Sequence, residues 1–323
     1  MSGQGAKRAL VTGAGGFVGA NLVRRLLADG HEITATVRPD TQSWRLRGVE
    51  HDMRVVGLDL LDTAAIDAAV AEARPDWVFH LAAHGAYSWQ RDPLRIMRTN
   101  ALATVALAEA SRAGDCQAFV HAGSSSEYGF KDHAPSEHEP LAPNSAYAVS
   151  KAAASLYLTQ AAAAGELNAV TVRLYSVYGP FEEPRRLVPT LIVRGLRGEL
   201  PPLVNPAVAR DFVASDDAVE ALVLAARLAP KYSGAVYNVG SGQQTTIGEL
   251  VGLARRLFAI EAEPDWGSAD ERSWDTETWL ADPRRAAEDL GWRPRLSLED
   301  GLARMAEWLR LTPGVRELYG IGG

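Results

Sequence analysis

The composition of this 323-residue chain is that of an ordinary soluble globular protein, with 47% hydrophobic and 23% charged residues. A formal net charge of −7 argues against a nucleic acid or an anionic membrane as its partner. The single cysteine, Cys116, excludes an intrachain disulfide. Residues 1–8 are polar and small, and no apolar run approaches the length of a membrane span, so we expect no signal peptide and a cytoplasmic protein.

The amino-terminal segment predicts a strand, a glycine turn and a helix in direct succession. An apolar run at residues 8–12 leads into Gly13, Gly16 and Gly19, and a helical pattern follows as far as Gly30. Glycines at this place let backbone amides approach a pyrophosphate at the helix N-terminus, where the dipole favours an anion. The spacing G-x-x-G-x-x-G departs from the usual G-x-G-x-x-G, but its position indicates a dinucleotide-binding loop.

The ends of the next two predicted strands bear on which dinucleotide binds. A strand at residues 31–37 is followed by Arg38 and Asp40. An arginine here can accept the 2′-phosphate of NADP, whereas a carboxylate binds the ribose 2′-hydroxyl of NAD, so both cofactors remain open and Arg38 favours NADP. Asp59, near the end of a strand at 55–60, is either an adenine contact or the cap of the following helix.

A fourth predicted strand, residues 76–83, ends in small residues that would let a cofactor lie close. The loop after it carries His84 and Tyr87 at the carboxyl edge of the sheet, where ligands bind in open α/β sheets, and we expect these two to contact a sugar. Asn100, inside a long helix at 94–113, either bonds a backbone carbonyl or holds a water for proton relay. The alternation of strands and helices predicts a doubly wound parallel sheet.

The residue types that carry chemistry are concentrated between Gly123 and Lys151. A turn of three serines, at 124–126, follows the fifth predicted strand, at residues 118–121. Tyr147 and Lys151 are four residues apart, so they share one face of a helix. A cation one turn away, together with that of an oxidised nicotinamide, favours the phenolate of a tyrosine whose unperturbed pKa is about 10. Such a phenolate can take the proton of a substrate hydroxyl while a hydride leaves the same carbon. The pattern predicts alcohol–ketone interconversion.

Taken in order, these motifs resemble the extended short-chain dehydrogenase/reductase family, and within it the nucleotide-sugar epimerases, dehydratases and 4-keto reductases. Residues 173–180, 210–213 and 290–294 continue the resemblance over nearly the whole chain. It implies an α/β fold with a Rossmann domain at 1–175, to which 209–240 return, and a smaller mixed substrate domain at 176–208 and 241–323. It also implies a homodimer.

The resemblance assigns roles to the residues around the serine turn. Tyr147 is the acid/base, Lys151 lowers its pKa and holds the nicotinamide ribose, and Asn100 supports the lysine through water. Ser125 is the preferred hydroxyl for the substrate oxygen, with Ser124 as the alternative. Glu127 falls where 4,6-dehydratases carry the carboxylate that removes the C5 proton, or it only forms hydrogen bonds within the turn. These catalytic assignments are Tyr147, Lys151, Ser125, Ser124, Glu127 and Asn100.

The resemblance also assigns residues to NAD or NADP and to a nucleotide-diphosphate sugar. The cofactor positions, besides Tyr147 and Lys151, are Gly13, Gly16, Phe17, Val18, Gly19, Arg38, Asp59, Leu60, Leu81, Ala82 and Ala83. The substrate positions are His84, Tyr87, Ser176, Val188, Arg210 and Arg272. Arginines suit the diphosphate because their forked guanidinium matches its oxygens. The histidines lack close ligand spacing, so we expect no metal site.

Three enzymatic functions and one non-enzymatic function follow. The first, which we predict, is an epimerase that oxidises a nucleotide-bound sugar at one carbon, expected to be C4, and returns the hydride. The second is an NADPH-dependent reductase of a 4-keto-6-deoxysugar, and the third is a dehydratase. The fourth is a dinucleotide-binding regulator without turnover, against which the intact serine, tyrosine and lysine set argues.

Overall fold

A computed structural model describes residues 5–39, 41, 43–270 and 275–320. The strands in this part of the chain are β1 (Arg8–Thr12), β2 (Glu32–Val37), β3 (Arg54–Gly57), β4 (Trp77–His80), β5 (Ala118–Ser124), β6 (Ala169–Leu174), β7 (Ser176–Tyr178), β8 (Ala209–Ala214), β9 (Val236–Val239) and β10 (Gln244–Thr246). The helices are α1 (Phe17–Ala28), α2 (Thr63–Ala73), α3 (Pro93–Met97), α4 (Ala103–Ala113), α5 (Ala146–Ala163), α6 (Leu187–Gly195), α7 (Ser215–Leu228), α8 (Ile247–Phe258), α9 (Arg284–Leu290), α10 (Leu298–Leu311) and α11 (Val315–Leu318).

Seven of the strands form one parallel sheet in the order β3-β2-β1-β4-β5-β6-β9. Its central strands are apolar runs, and side chains on both of their faces, such as Leu10 and Val11 of β1, are fully buried. This is the pattern expected of a parallel sheet covered by helices on both faces. The predicted doubly wound fold is confirmed, and β7, β8 and β10 form the smaller mixed sheet.

The strand order reverses at β1, which pairs with β2 on one side and with β4 on the other. The crevice at the carboxyl ends of such a pair is where ligands bind in doubly wound folds. The glycine turn follows β1, and the loop that begins at Leu81 follows β4, so both line this crevice. The fold therefore brings the predicted cofactor residues of these two loops together.

The segment 209–240 is divided between the two sheets. Helix α7 packs against α1, β5 and β6, and β9 pairs with β6, as the predicted return to the large sheet requires. Strand β8 instead pairs with β7 and β10 in the small sheet, so the return begins at Ser215 and not at residue 209. Buried apolar side chains of α6, α8 and α10 form a separate cluster beside the small sheet. We keep the two-domain division as a proposal that this second core supports.

The predicted long helix is built from α3, a wide π-helical turn at Arg98–Leu102 and α4. The Asp92 carboxylate caps α3 by accepting from the backbone amides of Leu94 and Arg95. Asn100 lies in the π-helical turn, a feature that occurs frequently at functional sites. In the described part of the chain, no helix is both long and apolar enough to cross a membrane.

Candidate active site

The glycine turn forms a narrow cradle at the start of α1. Gly16 stands at the N-cap without a side-chain hydrogen bond to the helix, so the first-turn amides are available to a ligand. Gly13 has a φ of +70°, and a Cβ placed on it would lie 2.6 Å from the backbone nitrogen of Ala82. A Cβ on Gly19 would overlap the carbonyl oxygen of Gly13. The residues present thus fit a dinucleotide pyrophosphate, with Phe17 and Val18 in the first turn.

Ser43 closes one side of this cradle, which the sequence did not reveal. Its hydroxyl donates to the carbonyl oxygen of Gly15 at 2.9 Å, and a Cβ on Gly15 would lie 2.8 Å from the Ser43 Cβ. The contact joins positions 28 residues apart in the chain, and no local pattern marks it. Ala83 lies exposed beyond Leu81 and Ala82 at the end of β4.

The residues assigned to the adenosine end lie at the carboxyl edge of β2 and β3. Arg38 and Asp59 are both exposed, and Leu60 is half-buried. The cap of α2 is Asp62, whose Oδ1 accepts from the backbone amide of Ala65 at 3.1 Å. The alternative role of Asp59 as that cap is therefore wrong, while its adenine contact stays a prediction. Asp40 lies outside the described residues.

Tyr147 and Lys151 project from the first two turns of α5, which the Ser145 hydroxyl caps. Lys151 is 2% exposed, and its Nζ donates to the carbonyl oxygen of Ala122 at 2.7 Å and lies 3.4 Å from His121 Nε2. Burial lowers the pKa of Lys151 to about 8. The lysine is thus anchored to β5 beside the half-buried tyrosine.

In the protein alone, the pKa of Tyr147 is raised to about 12, because burial outweighs a hydrogen bond from Ser124 that lowers it. We expected Lys151 to move this pKa toward the working pH. The protein alone does not do so, because burial disfavours the phenolate. The added positive charge of an oxidised nicotinamide therefore remains part of the expected activation.

Ser124, and not Ser125, is the serine that affects the pKa of Tyr147. Strand β5 continues through Ser124, three residues beyond the predicted end at His121, and a 3₁₀ turn at Ser125–Tyr128 follows. The Ser124 hydroxyl acts on Tyr147, whereas Ser125 lines a small pocket with Tyr175 and Trp279. Neighbouring residues at a strand end point to opposite sides, so this one-residue difference decides which hydroxyl faces the tyrosine. The geometry favours Ser124 over our preferred Ser125.

Glu127 is fully buried, and both of its carboxylate oxygens are bonded. Oε1 accepts from the backbone amide of Ser124, and Oε2 accepts from Arg173 Nε, each at 2.8 Å. A carboxylate closed off in this way does not reach a substrate C5 proton. We therefore withdraw the dehydratase role of Glu127, and the alternative of hydrogen bonding within the turn holds.

The Asn100 amide ties the loop after β4 to α5. Its Nδ2 donates to the carbonyl oxygen of His84 and to Ser150 Oγ, and its Oδ1 accepts from the His84 amide, all at 2.8 Å. Ser150 Oγ in turn donates to the carbonyl oxygen of Tyr147. The asparagine thus bonds a backbone carbonyl, one of its two expected roles, and support of Lys151 through water stays a prediction.

Two loops approach the tyrosine from the substrate side. Tyr87 stacks on Trp89 with ring centroids 4.7 Å apart, and the Arg185 guanidinium lies 4.3 Å from the Trp89 ring. Arg186 lowers, and Tyr87 raises, the pKa of Tyr147, so both lie within electrostatic reach of the phenol. Sequence reasoning missed Arg186; two adjacent arginines in a proline-marked loop were the available signal.

The other predicted substrate residues differ in how the structure places them. Ser176 is half-buried in β7, and Val188 is 3% exposed within the core around α6, so we withdraw Val188 as a side-chain contact. The Arg210 guanidinium donates to Asp275 at 2.5 Å and lies 5.8 Å from the Trp279 ring. Arg272 lies outside the described residues. Among the described residues, no group of three or more histidine, cysteine or acidic side chains is placed to hold a metal ion.

The family model described as "NAD dependent epimerase/dehydratase family" matches residues 9–240. The chain belongs to this family. A UDP-glucose 4-epimerase of Mycolicibacterium smegmatis is 34% identical over 94% of this chain and 98% of its own length. A dTDP-glucose 4,6-dehydratase of Streptomyces antibioticus is 31% identical over 93% of this chain and 92% of its own.

Among solved structures, MoeE5 in complex with UDP-glucose and NAD is 34% identical, with a TM-score of 0.81 over 95% of this chain and 99% of that one. The same protein has also been solved with UDP-glucuronic acid and NAD. The chain is accordingly an NAD-dependent enzyme of the extended short-chain dehydrogenase type that acts on nucleotide sugars. The family match and these relatives argue against a non-enzymatic regulator, the fourth function predicted from the sequence.

Proposed function

We propose that the protein is a nucleoside-diphosphate-sugar 4-epimerase. The observation that carries this proposal is the pairing of Ser124 with Tyr147 beside a turn whose single carboxylate, Glu127, is buried and fully bonded. Epimerisation needs one group that removes and returns a hydroxyl proton, and another that holds the oxygen. Both groups are present in the pair.

The chain's own residues supply the proton chemistry. Tyr147 takes the proton of the C4 hydroxyl as the carbonyl forms and gives it back when the carbonyl is reduced on the other face. The Ser124 hydroxyl donates to the same oxygen, and Lys151 favours the phenolate through its positive charge. When bound, NAD accepts the C4 hydride and can return it. The glycine cradle, Leu81 and Ala82 would hold it.

A dehydratase needs more than this set, because it must also remove a C5 proton and expel the C6 hydroxyl. At the serine turn the chain offers the hydroxyls of Ser125 and Ser126, and the Glu127 carboxylate is engaged by Arg173. A hydroxyl without a nearby base is a poor proton acceptor. The geometry therefore supports the epimerase over the dehydratase, although a relative at 31% identity carries the dehydratase name.

The substrate is expected to extend from Tyr147 toward the small sheet. We expect Arg210, close to Trp279, to bind the diphosphate. We expect His84, Tyr87 and Arg186 to contact the sugar, since Tyr87 and Arg186 both act on the pKa of Tyr147. UDP-glucose and UDP-glucuronate, the sugars bound by MoeE5, are the first substrates to offer. The arginine near the tyrosine makes both worth testing.

The test has two parts. Denaturation of the purified protein and analysis of the released nucleotide measures which dinucleotide it carries. Incubation with each UDP-sugar, followed by NMR of the products, measures the reaction. We expect near-stoichiometric NAD and the C4 epimer. A 4-keto-6-deoxy product would establish the dehydratase, and an empty site that prefers NADPH would establish the reductase and a role for Arg38 in NADP binding.

We also propose that the protein is a cytoplasmic homodimer. Four large apolar side chains are exposed on neighbouring helical segments: Leu94, Leu102, Val149 and Leu156. Contiguous exposed apolar surface marks an interaction site. Leu156→Glu should therefore convert the dimer to a monomer in sedimentation, while a wild-type protein that sediments as a monomer would contradict the proposal.

A further inference from the structure

A buried hydrogen-bond network lies beneath the serine turn. Arg173 Nε donates to Glu127 Oε2 at 2.8 Å, and its Nη1 donates to the Tyr128 hydroxyl at 2.7 Å. The Tyr128 hydroxyl donates to Asn238 Oδ1 at 2.8 Å, which connects the network to β9. None of these four residues is more than 3% exposed. Buried charged and polar groups of this kind are retained only when each finds its partner.

The member of this network nearest to Tyr147 is the Glu127 carboxylate. Its Oε1 accepts from the backbone amide of Ser124, the residue whose side chain meets Tyr147. Gly123 makes room for it, since a Cβ at that position would lie 2.7 Å from Oε1. The carboxylate therefore fixes the backbone from which the serine hydroxyl projects, and Arg173 fixes the carboxylate.

We propose that Glu127 and Arg173 are positioning residues that hold the Ser124 hydroxyl against Tyr147. Glu127 then acts on the reaction through the serine and not on the substrate. This inference rests on the proposed epimerase for its kinetic test, because that test measures turnover. The proposal gives a role to Glu127, the one carboxylate of the turn, which takes no direct part in the proposed reaction.

Electrostatics add a signature that a purely structural role would lack. The negative charge of Glu127 raises the pKa of Tyr147 and also that of Lys151. Arg186 and the Ser124 hydroxyl act on Tyr147 in the opposite direction, and Tyr87 acts in the same direction as Glu127. Loss of the carboxylate alone would lower the pKa of the phenol, but a Ser124 hydroxyl that turns away raises it by more, because the Ser124 hydrogen bond is the larger of the two causes.

The experiment removes both charges and the acceptor for the Ser124 amide together, as Glu127→Met with Arg173→Met. Removing one partner alone would leave a buried charge unpaired and unfold or distort the protein, whereas the paired change avoids this. We expect a folded variant that keeps its NAD, with kcat reduced ten- to a hundredfold and KM within about threefold. We also expect the rising limb of the kcat–pH profile to move to higher pH, because the lost Ser124 hydrogen bond outweighs the lost charge of Glu127. An unchanged kcat and pH profile would overturn the proposal.

Combination with Ser124→Ala tests whether the pair acts through the serine. If it does, the triple variant loses no more activity than Ser124→Ala alone, because the hydroxyl being positioned is already absent. Multiplied losses would show that the pair acts independently and would refute the inference. The matched control is Arg25→Met with Glu220→Met, an ion pair between α1 and α7, which should leave kcat and its pH profile unchanged.

A crystal structure of the paired variant separates this inference from the proposed function. The Ser124 hydroxyl should be turned away from Tyr147, whatever reaction the wild type catalyses. A serine that keeps its contact with the tyrosine would contradict the positioning role even in an active epimerase. A wild type that epimerises none of the sugars would sink the proposed function, and the position of Ser124 would still decide this inference.

Discussion

The two sides of the cleft are built in different ways. The cofactor side consists of strand ends, glycines and small residues, and its fit depends on backbone shape, as at Gly13 and Gly19. The substrate side is made of long side chains from distant segments, joined by contacts such as Arg185 on Trp89 and Arg210 with Asp275. The cofactor side leaves little freedom, whereas the substrate side can change by substitution of single side chains. We expect the cofactor side and the Tyr147 region to determine the type of reaction, and the substrate side to determine which sugar binds.

Tyr147→Phe, between the two sides, should have the largest effect. Loss of the phenol removes general acid–base catalysis, which contributes about 10²–10⁴-fold, so kcat should fall by that amount. NAD content should stay at the wild-type level, because the change removes one oxygen. Steady-state kinetics and the released nucleotide measure both quantities, and near-normal turnover would refute the assignment.

Lys151→Met tests whether the burial of a charged lysine at the reaction centre lowers the stability of the fold. Burial lowers the pKa of Lys151 from 10.5 to about 8, so between these values the unfolded chain binds a proton that the folded one has released. The wild-type free energy of unfolding therefore rises with pH across this window relative to that of the variant. At pH 7 the variant should turn over more slowly than the wild type, with a smaller loss than Tyr147→Phe. It should also be more stable by up to about 3 kcal/mol, a gap that closes toward pH 10.5. Denaturant titrations across the window measure the gap. A variant less stable than the wild type at pH 7 would show that burial of the lysine does not destabilise the fold.

Gly19→Ala tests the backbone fit of the cofactor side. The added methyl group meets the carbonyl of Gly13, so the turn must shift and NAD affinity should fall on the order of a hundredfold. Gly252→Ala in α8 is the control, since its Cβ meets only the end of the Arg256 side chain at 3.9 Å. Calorimetric NAD binding to both variants distinguishes them. Equal NAD affinities of the two variants would contradict the claim that backbone shape determines how the cradle holds the cofactor.

Ser124→Ala and Ser125→Ala compare neighbouring hydroxyls of the turn. A hydrogen bond to a charged group contributes about 1.5–3 kcal/mol, so Ser124→Ala should reduce kcat about ten- to a hundredfold. Ser125 lines the pocket with Tyr175 and should have little effect on kcat. The reverse order of effects would restore Ser125 as the catalytic hydroxyl.

Arg210→Lys addresses the substrate side and should have the smallest effect. A lysine keeps the charge and loses the fork, so KM for the UDP-sugar should rise about tenfold, as loss of one charged hydrogen bond implies, with kcat nearly unchanged. Arg284→Lys, an exposed arginine paired with Asp282, is the control. A fall in kcat without a change in KM would place Arg210 at the reaction and not at the diphosphate.

The sequence predicted those features that depend on neighbours in the chain. The strand–glycine–helix unit and the face shared by Tyr147 and Lys151 follow from local spacing, and both are present in the structure. The choice between Ser124 and Ser125 came from the family resemblance, and the structure orients the two serines by extending β5 three residues beyond its predicted end. The Glu127–Arg173 and Arg210–Asp275 pairs span 46 and 65 residues, and no local pattern encodes them.

The central claim is that a hydride leaves C4 of the sugar and returns to the same carbon. UDP-glucose deuterated at C4, incubated with the protein as purified and followed by NMR, tests it most directly. We predict UDP-galactose that retains deuterium at C4, without exchange of the C5 proton with solvent. Deuterium found at C6 of a 4-keto product, or lost from the sugar altogether, would contradict the epimerase.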